Sequence, residues 1–218
     1  MNNYQPPIDK GLDVLFFDAA IVVVNKPNGL LSVPGRGEGK QDCLVSRVQK
    51  IYSDALIVHR LDMETSGVMV LARDKQAHRQ LSLLFQQRAV RKQYVAVVDG
   101  VMTVAGGVID LPLICDWPNR PRQMVDFLQG KPSLTRFSVL ARDAEQGTTR
   151  VQLVPVTGRS HQLRVHLQAK GHPILGDRLY ADAQALAKSP RLMLHAETLA
   201  FSHPLTGEPM EFVCRAPF

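Results

Sequence analysis

The sequence has no apolar run of the roughly 18 to 20 residues that a membrane-spanning helix needs. Its first residues, MNNYQPPIDKGLD, also lack the basic and apolar segments of a secretion signal. We therefore expect a cytoplasmic protein that does not contact a membrane. Only three of the 218 residues are cysteines, Cys43, Cys115 and Cys214, and no Cys-x-x-Cys pair is present. This spacing indicates neither a disulfide framework nor a structural zinc site.

The motifs of several common enzyme classes are missing as well. The chain has no Gly-x-x-x-x-Gly-Lys-Ser/Thr loop and no Gly-x-Ser-x-Gly elbow, which argues against nucleotide hydrolysis and the commonest acyl transfer. Ligand types for zinc or iron exist among the histidines His59, His161, His166, His172 and His195, with Asp62 and Asp177 nearby in sequence. However, no His-Glu-x-x-His is present, and the five-residue step from His161 to His166 would splay the two rings on a helix. We expect an enzyme without metal or cofactor, and a metal-dependent hydrolase or nuclease is the weaker alternative.

Basic residues outnumber acidic ones, 26 to 20, which gives a net charge of +6 and suggests an anionic partner. Two segments contain basic residues and no acidic ones: Lys75, Arg79, Arg88, Arg91 and Lys92 in the first, and Arg150, Arg159, Arg164 and Lys170 in the second. Either segment alone is typical of a solvated helix face. If the two flank one site, they would form a groove that binds phosphates.

Hydrophobic alternation and β-branched residues predict a chain rich in strands. The predicted strands are Val14 to Phe17, Ile21 to Asn25, Ser66 to Ala72, Gln93 to Val98, Leu134 to Ala141, Thr149 to Val156, Leu192 to Phe201 and Met210 to Cys214. Three helices are predicted: Cys43 to Tyr52, Lys75 to Gln87 behind an Asp74 cap, and a short helix capped by Ser160 that stops at Gly171. Several turns are too short for crossover helices, so we expect an α+β fold with a mixed, mostly antiparallel sheet. The Pro-rich stretch Leu111 to Pro121 is predicted to be a long irregular loop or an edge segment. We expect residues 1–218 to form a single domain.

Two segments have the residue types of a functional site. In His59-Arg60-Leu61-Asp62-Met63-Glu64-Thr65-Ser66-Gly67, charged and hydroxyl side chains lie between an apolar run and a strand. In Thr157 to His166, a glycine turn opens a short helix on which His161 and Arg164 share a face, an arrangement suited to an anion. From the residues alone, an Arg/Asp surface pair in the first segment and a capped helix with exposed Arg and His in the second are equally good interpretations.

These segments carry a resemblance to the RluA family of pseudouridine synthases. The loop from His59 to Gly67 matches the family's catalytic motif, and Lys26 to Leu30 matches its early Lys-Pro-x-Gly-Leu motif. Further matches follow in the family's order: Lys92-Gln93-Tyr94-Val95-Ala96, Thr157 to His166, Gly171 to Tyr180, and Leu194-His195-Ala196. One departure is Ala181 after Tyr180, where many members have glycine.

The resemblance implies the pseudouridine synthase fold, a mixed, mostly antiparallel central sheet flanked by helices and loops, and an isomerase that needs no cofactor. It also implies that the S4-like domain found in many relatives is absent here. Three segments look closest to the family members that modify both large-subunit (23S) ribosomal RNA and transfer RNA. They are the N-terminal leader, the segment Leu30 to Arg36, and the segment Leu111 to Pro121. We therefore expect a monomeric enzyme that binds stem-loops of these RNAs.

Carried over residue by residue, the resemblance makes Asp62 the carboxylate that acts on the glycosidic bond. Arg164 would keep that carboxylate ionised, and Tyr94 would lie against the uracil ring. Arg60 would fill the space left by the flipped base. The remaining substrate-binding candidates are Lys26, His59, Arg91, Lys92, Arg159 and His161. An RNA-binding or RNA-chaperone module whose Asp62 loop is only structural is the alternative from another class.

Overall fold

The computed structural model describes residues 4–218, in which twelve strands and four α-helices follow one another. The strands are β1 (Val14–Phe17), β2 (Ile21–Lys26), β3 (Leu56–Ile57), β4 (Ser66–Ala72), β5 (Arg91–Asp99), β6 (Gly106–Asp110), β7 (Leu113–Cys115), β8 (Gln123–Val125), β9 (Leu134–Asp143), β10 (Thr148–Pro155), β11 (Leu194–Ser202) and β12 (Pro209–Val213). The helices are α1 (Leu44–Gln49), α2 (Lys75–Gln86), α3 (Gln162–Ala169) and α4 (Ala183–Ala187). No helix within residues 4–218 has the length and apolar character to span a bilayer.

The chain divides into two compact units. The first contains the residues up to Lys92 together with Ala196–Pro217, and the second contains Gln93–His195 and Phe218. Within residues 4–218, four antiparallel pairings lie in the first unit, β1–β2, β2–β4, β3–β4 and β11–β12, and four in the second, β5–β10, β9–β10, β6–β9 and β7–β8. Helices and antiparallel strands in both units confirm the predicted α+β class.

The first unit is built on β2 and β4, which pair from Ile21 opposite Ala72 to Lys26 opposite Gly67. All seven residues of β4 are buried, as are Ile21 to Val24 in β2. Strands buried on both faces are apolar throughout rather than alternating, which explains the sequences IVVV and VMVLA. This register places the end of the His59–Gly67 loop beside Lys26.

Helix α2 begins where it was predicted, because the carboxylate of Asp74 accepts a hydrogen bond from the backbone N–H of Ala77 at 2.8 Å. The helix buries Ala77 and Leu81 in the core of the first unit, with Phe85 packed against its edge. The apolar residues whose spacing predicted the helix therefore form the face that the helix buries.

In the second unit, the strands lie in the order β5, β10, β9, β6. Tyr94 in β5 lies opposite Leu153 in β10; Leu153 belongs to the core of this unit, and the half-buried Tyr94 packs against that core. Helix α3 stops where it was predicted, with Gly171 just beyond its end at a φ of 78°. The Ser160 cap was wrong: the N-cap is His161, and the side chain of Gln162 accepts the nearby N–H of Arg159 at 3.0 Å.

Five short elements were not predicted: β3, β6, β7, β8 and α4. In the Leu111–Pro121 stretch, β7 forms a small hairpin with β8, with Leu113 opposite Val125. These elements have two to five residues each, and the hydrophobic pattern of the sequence did not reveal them. The four strands among them are defined by pairing with other strands.

Candidate active site

The His59–Gly67 loop runs from just after β3 to the start of β4, in the first unit. Its turn is closed by the N–H of Thr65, which donates to the carbonyl of Asp62 at 3.1 Å. The side chain of Asp62 is half-buried, while Arg60 is exposed. A carboxylate at a tight, partly buried turn is well placed for chemistry on a bound substrate.

The segment from Lys26 to Ser32 holds the backbone on both sides of Asp62. Before it, the hydroxyl of Ser32 accepts from the N–H of Leu61 at 3.1 Å and donates to the carbonyl of Leu61 at 2.7 Å. After it, the carbonyl of Met63 accepts from the N–H of Gly29 at 2.9 Å. The amide of Asn28 donates to the carbonyl of Glu64. The early Lys-Pro-x-Gly-Leu motif thus lies against the His59–Gly67 loop.

Lys26 is fully buried, which is rare for a lysine. Its ammonium donates to the carbonyls of Pro27, Leu30 and Met63 at 2.9, 2.7 and 3.0 Å. These bonds replace the water that the charge has lost and join the early motif to the loop. Lys26 therefore has a structural role, and its contact with substrate stays a prediction.

The side chain of His59 packs inside the first unit rather than facing solvent. Its ring stacks on Phe85 with centroids 4.5 Å apart, and its Nε2 accepts the N–H of Val70 at 3.2 Å. Burial, assisted by the positive charge of Lys92, lowers the pKa of His59 to about 3. The imidazole is therefore neutral near pH 7 and anchors the start of the loop to β4.

The remaining candidates in the first unit are Arg91 and Lys92, at the start of β5. Arg91 is exposed and forms an ion pair with Glu211. Lys92 is half-buried, and desolvation together with the charge of Arg88 lowers its pKa. These two neighbours thus differ: within residues 4–218, Arg91 forms an ion pair with a carboxylate and Lys92 does not.

In the second unit, the guanidinium of Arg164 lies buried on α3 and forms a side-on pair with Asp177. The Nε and Nη2 atoms each lie 2.7 Å from a carboxylate oxygen of Asp177. Asp177 is also fully buried and accepts the N–H groups of Leu179 and Tyr180 at 2.9 and 3.2 Å. Sequence reasoning assigned no role to Asp177, although it lies in the matched Gly-Asp-x-x-Tyr segment. The predicted pairing of Arg164 with Asp62 stays a prediction.

His161 and Arg159 flank the start of α3. His161 has a left-handed backbone, with a φ of 53°, and its Nδ1 lies 2.7 Å from the hydroxyl of Tyr180. That hydroxyl also accepts the N–H of Gln123 in β8 at 2.8 Å. Arg159 is exposed. Tyr180, which sequence reasoning did not single out, therefore connects the α3 start to the β7–β8 hairpin.

The histidines do not gather into a metal site. Across the part of the chain that the structure describes, no three His, Cys, Asp or Glu side chains are grouped to hold an ion. His166 is a core residue that contacts the hydroxyl of Thr135 and the carbonyl of Leu111, both at 3.0 Å. Its pKa is lowered by burial.

The fold agrees with comparisons to known proteins. The model of the RNA pseudouridylate synthase family matches residues 20–169, about two-thirds of the sequence. The chain belongs to this family, and it is an isomerase that converts uridine to pseudouridine in RNA.

Individual relatives make the family membership more specific. The chain is 54% identical over all 218 residues to the dual-specificity RNA pseudouridine synthase RluA of Salmonella typhimurium and to that of Escherichia coli K12, and covers 99% of each. It is 50% identical to the protein of that name from Haemophilus influenzae, over 99% of this chain and 98% of the relative.

Solved structures agree with this family assignment. Human RNA pseudouridylate synthase domain containing 1 superposes with a TM-score of 0.82 at 30% identity, over 98% of this chain and 87% of that chain. Human RNA pseudouridylate synthase domain containing 4 superposes with a TM-score of 0.74 at 29% sequence identity, over 94% of this chain and 88% of that chain.

Proposed function

We propose that the enzyme modifies specific uridines in large-subunit (23S) ribosomal RNA and in the anticodon stem-loop of transfer RNA. The single observation that carries this proposal is the 54% identity, over the whole chain, to relatives named dual-specificity synthases. The family match from residue 20 to residue 169 extends over parts of both units, which supports a single catalytic domain.

The reaction breaks the bond from N1 of uracil to C1′ of the ribose and forms a bond from C5 to C1′. N1 gains a proton and C5 loses one, so nothing is oxidised or consumed. The difficult moment is the loss of the N1–C1′ bond, because positive charge then develops at C1′. A single carboxylate stabilises that charge, as carboxylates do in glycoside cleavage.

Asp62 is the proposed carboxylate. Its support is the set of hydrogen bonds on Leu61, Met63 and Glu64, which fix the backbone on each side of it. A catalytic group held in place before the substrate arrives loses little entropy on reaching the transition state. A fixed backbone around Asp62 is compatible with attack by its carboxylate either at C1′ of the ribose or at C6 of the uracil.

Arg164 and Tyr94 complete the proposed catalytic group. An arginine keeps a nearby carboxylate ionised when burial would otherwise raise its pKa, and Arg164 is the residue that matches the motif. Tyr94 would stack on uracil, and its hydroxyl would assist the late loss of the C5 proton. Tyr94→Phe keeps the ring, so we expect its effect to fall on the proton step and on kcat rather than on KM.

The RNA enters with the target base flipped out of its stack. Arg60 is exposed, as a side chain must be to fill the vacated space. Arg91, Lys92, Arg159 and His161 are proposed to contact the RNA near it. Lys26 and His59 were also expected to touch substrate, and their observed bonds support an indirect action through the loop.

The test is the release of tritium from transcripts containing C5-labelled uridine. The wild-type chain should release label from both a 23S fragment and a transfer RNA stem-loop, without added metal or cofactor. Asp62→Asn should abolish release while retaining RNA binding, because only the charge is removed. Retention of label by the wild type on both RNAs would indicate an RNA-binding module instead. Chelator-sensitive shortening of the RNA would indicate a nuclease.

We also propose that the enzyme works as a monomer in the cytoplasm. The positive net charge suits direct binding of RNA by the catalytic chain itself. Sedimentation equilibrium should give the mass of one chain, 24.2 kDa. A dimer at the concentrations used for activity would contradict this proposal.

A further inference from the structure

Arg88 has an unusual backbone for an arginine. Helix α2 ends at Gln86, and Arg88 follows its C-cap with a φ of 60°. The N–H of Ala89 then donates to the carbonyl of Leu84 at 2.9 Å, and that of Arg88 to the carbonyl of Phe85 at 3.2 Å. This is a Schellman-type helix end, in which the left-handed position is normally glycine.

Packing does not account for an arginine at this position. Arg88 is exposed, so its side chain gains little by burial that would compensate the strained backbone. Within residues 4–218, the only other residue besides glycine with a positive φ is His161. That histidine lies in the matched Gly-Arg-x-His segment, so both strained positions fall in regions proposed to meet RNA.

The neighbourhood of Arg88 is rich in positive charge. Burial is the main cause that lowers the pKa of Lys92, and the charge of Arg88 lowers it further. In the same way, burial is the main cause that lowers the pKa of His59, and the charge of Lys92 adds to it. Among the described residues, no carboxylate forms an ion pair with Arg88 or Lys92, whereas Arg91 is paired with Glu211. Arg88 lies just beyond the end of α2 and Lys92 four residues later in β5, and a bound anion would relieve the repulsion between their charges.

We propose that Arg88 and Lys92 form a binding site for one phosphate group of the RNA substrate, and that arginine occupies the left-handed position for this contact. The site rests on the proposed function, because the anion is the RNA that Asp62 acts on. Arginine suits the task, since its planar fork binds phosphate through two parallel hydrogen bonds. The half-buried Lys92 supplies a point charge from the start of β5.

The experiment compares Arg88→Gly with Arg88→Ala in the full chain. Both variants lose the guanidinium, but only glycine relieves the backbone. Arg88→Gly should melt about 2–4 °C above Arg88→Ala, and at or above the wild type. Both should bind a stem-loop transcript about tenfold more weakly at low salt, with the slope of log K against log salt reduced by about 1. At saturating RNA, kcat should match the wild type because the contact is equal in ground and transition states.

Arg36→Ala is the charge-matched control, since Arg36 is exposed on another loop. It should leave the salt slope unchanged. The proposal is overturned if Arg88→Gly is stable yet binds RNA with the affinity and salt slope of Arg36→Ala. Repeating the binding in the Asp62→Asn background separates the two proposals, because binding there requires no catalysis. A wild type that releases no tritium refutes the proposed modification of these RNAs, while the salt slopes still decide the role of Arg88.

Discussion

The guanidinium of Arg164 and the carboxylate of Asp177 form a side-on pair, with both N–O distances at 2.7 Å. Because Asp177 also accepts two backbone N–H groups in its own turn, it ties α3 to the segment from Gly176 to Tyr180. Asp177 therefore determines the orientation of the arginine proposed to assist catalysis. The pair uses one edge of the guanidinium, and the opposite edge carries donors of its own.

Asp177→Asn should cost about 3–5 kcal/mol of unfolding free energy, because it removes the negative charge of the buried carboxylate that pairs with the buried guanidinium of Arg164. Urea denaturation measures this loss. The double variant Arg164→Met with Asp177→Leu should lose less than the sum of the single variants, since it removes both charges. A loss below about 1 kcal/mol for Asp177→Asn would show that the pair does not hold Arg164.

Ser32→Ala should lower kcat and cost about 1–3 kcal/mol of stability, because one hydroxyl serves both backbone groups of Leu61. Tritium release and urea denaturation measure the two effects. Ser133→Ala is the matched control: its buried hydroxyl donates to the carbonyl of Lys131 at 3.0 Å in the second unit. It should lose similar stability with kcat unchanged. Equal kcat values for the two variants would disprove a positioning role for Ser32.

Gly67→Ala should destabilise the first unit by about 3–5 kcal/mol or prevent folding. A Cβ at Gly67 would lie 2.2 Å from the carbonyl oxygen of Ala196, and the φ there is 123°. Gly207→Ala has a similarly positive φ of 76° in open space, so it should cost only about 1–2 kcal/mol. Thermal melting of the two variants measures the difference, and equal melting temperatures would contradict the close approach.

His59 should make stability fall as pH decreases from about 6.5. Its pKa is about 3 in the folded protein, against the ordinary value of 6.5 in the unfolded chain, so the unfolded chain binds a proton that the folded chain excludes. Protonation below pH 6.5 therefore favours the unfolded chain, by about 1.4 kcal/mol per pH unit down to about pH 3. Above pH 6.5 this contribution is absent. Urea denaturation of the wild type and of His59→Gln between pH 7 and pH 5 tests this; parallel pH profiles would argue against it.

The hydrophobic pattern was enough to predict the long strands. Strands β1 and β4 have the predicted limits, and β2, β5, β9, β10, β11 and β12 differ at their ends by up to two residues. The Asp74 cap and the Gly171 stop were also predicted, since capping depends on neighbours a few residues away. The Ser160 cap failed because the helix begins one residue later, with His161 as its N-cap in a left-handed conformation.

The sequence by itself determined the class of fold, the family and the residues proposed for chemistry, because periodicity and motifs are local properties of the chain. Only the tertiary structure decided what holds those residues. It buried Lys26 against three carbonyls, made His59 neutral, and gave Arg164 the partner Asp177, thirteen residues away. Burial and hydrogen-bond partners depend on segments that are distant in sequence, so no local pattern predicts them.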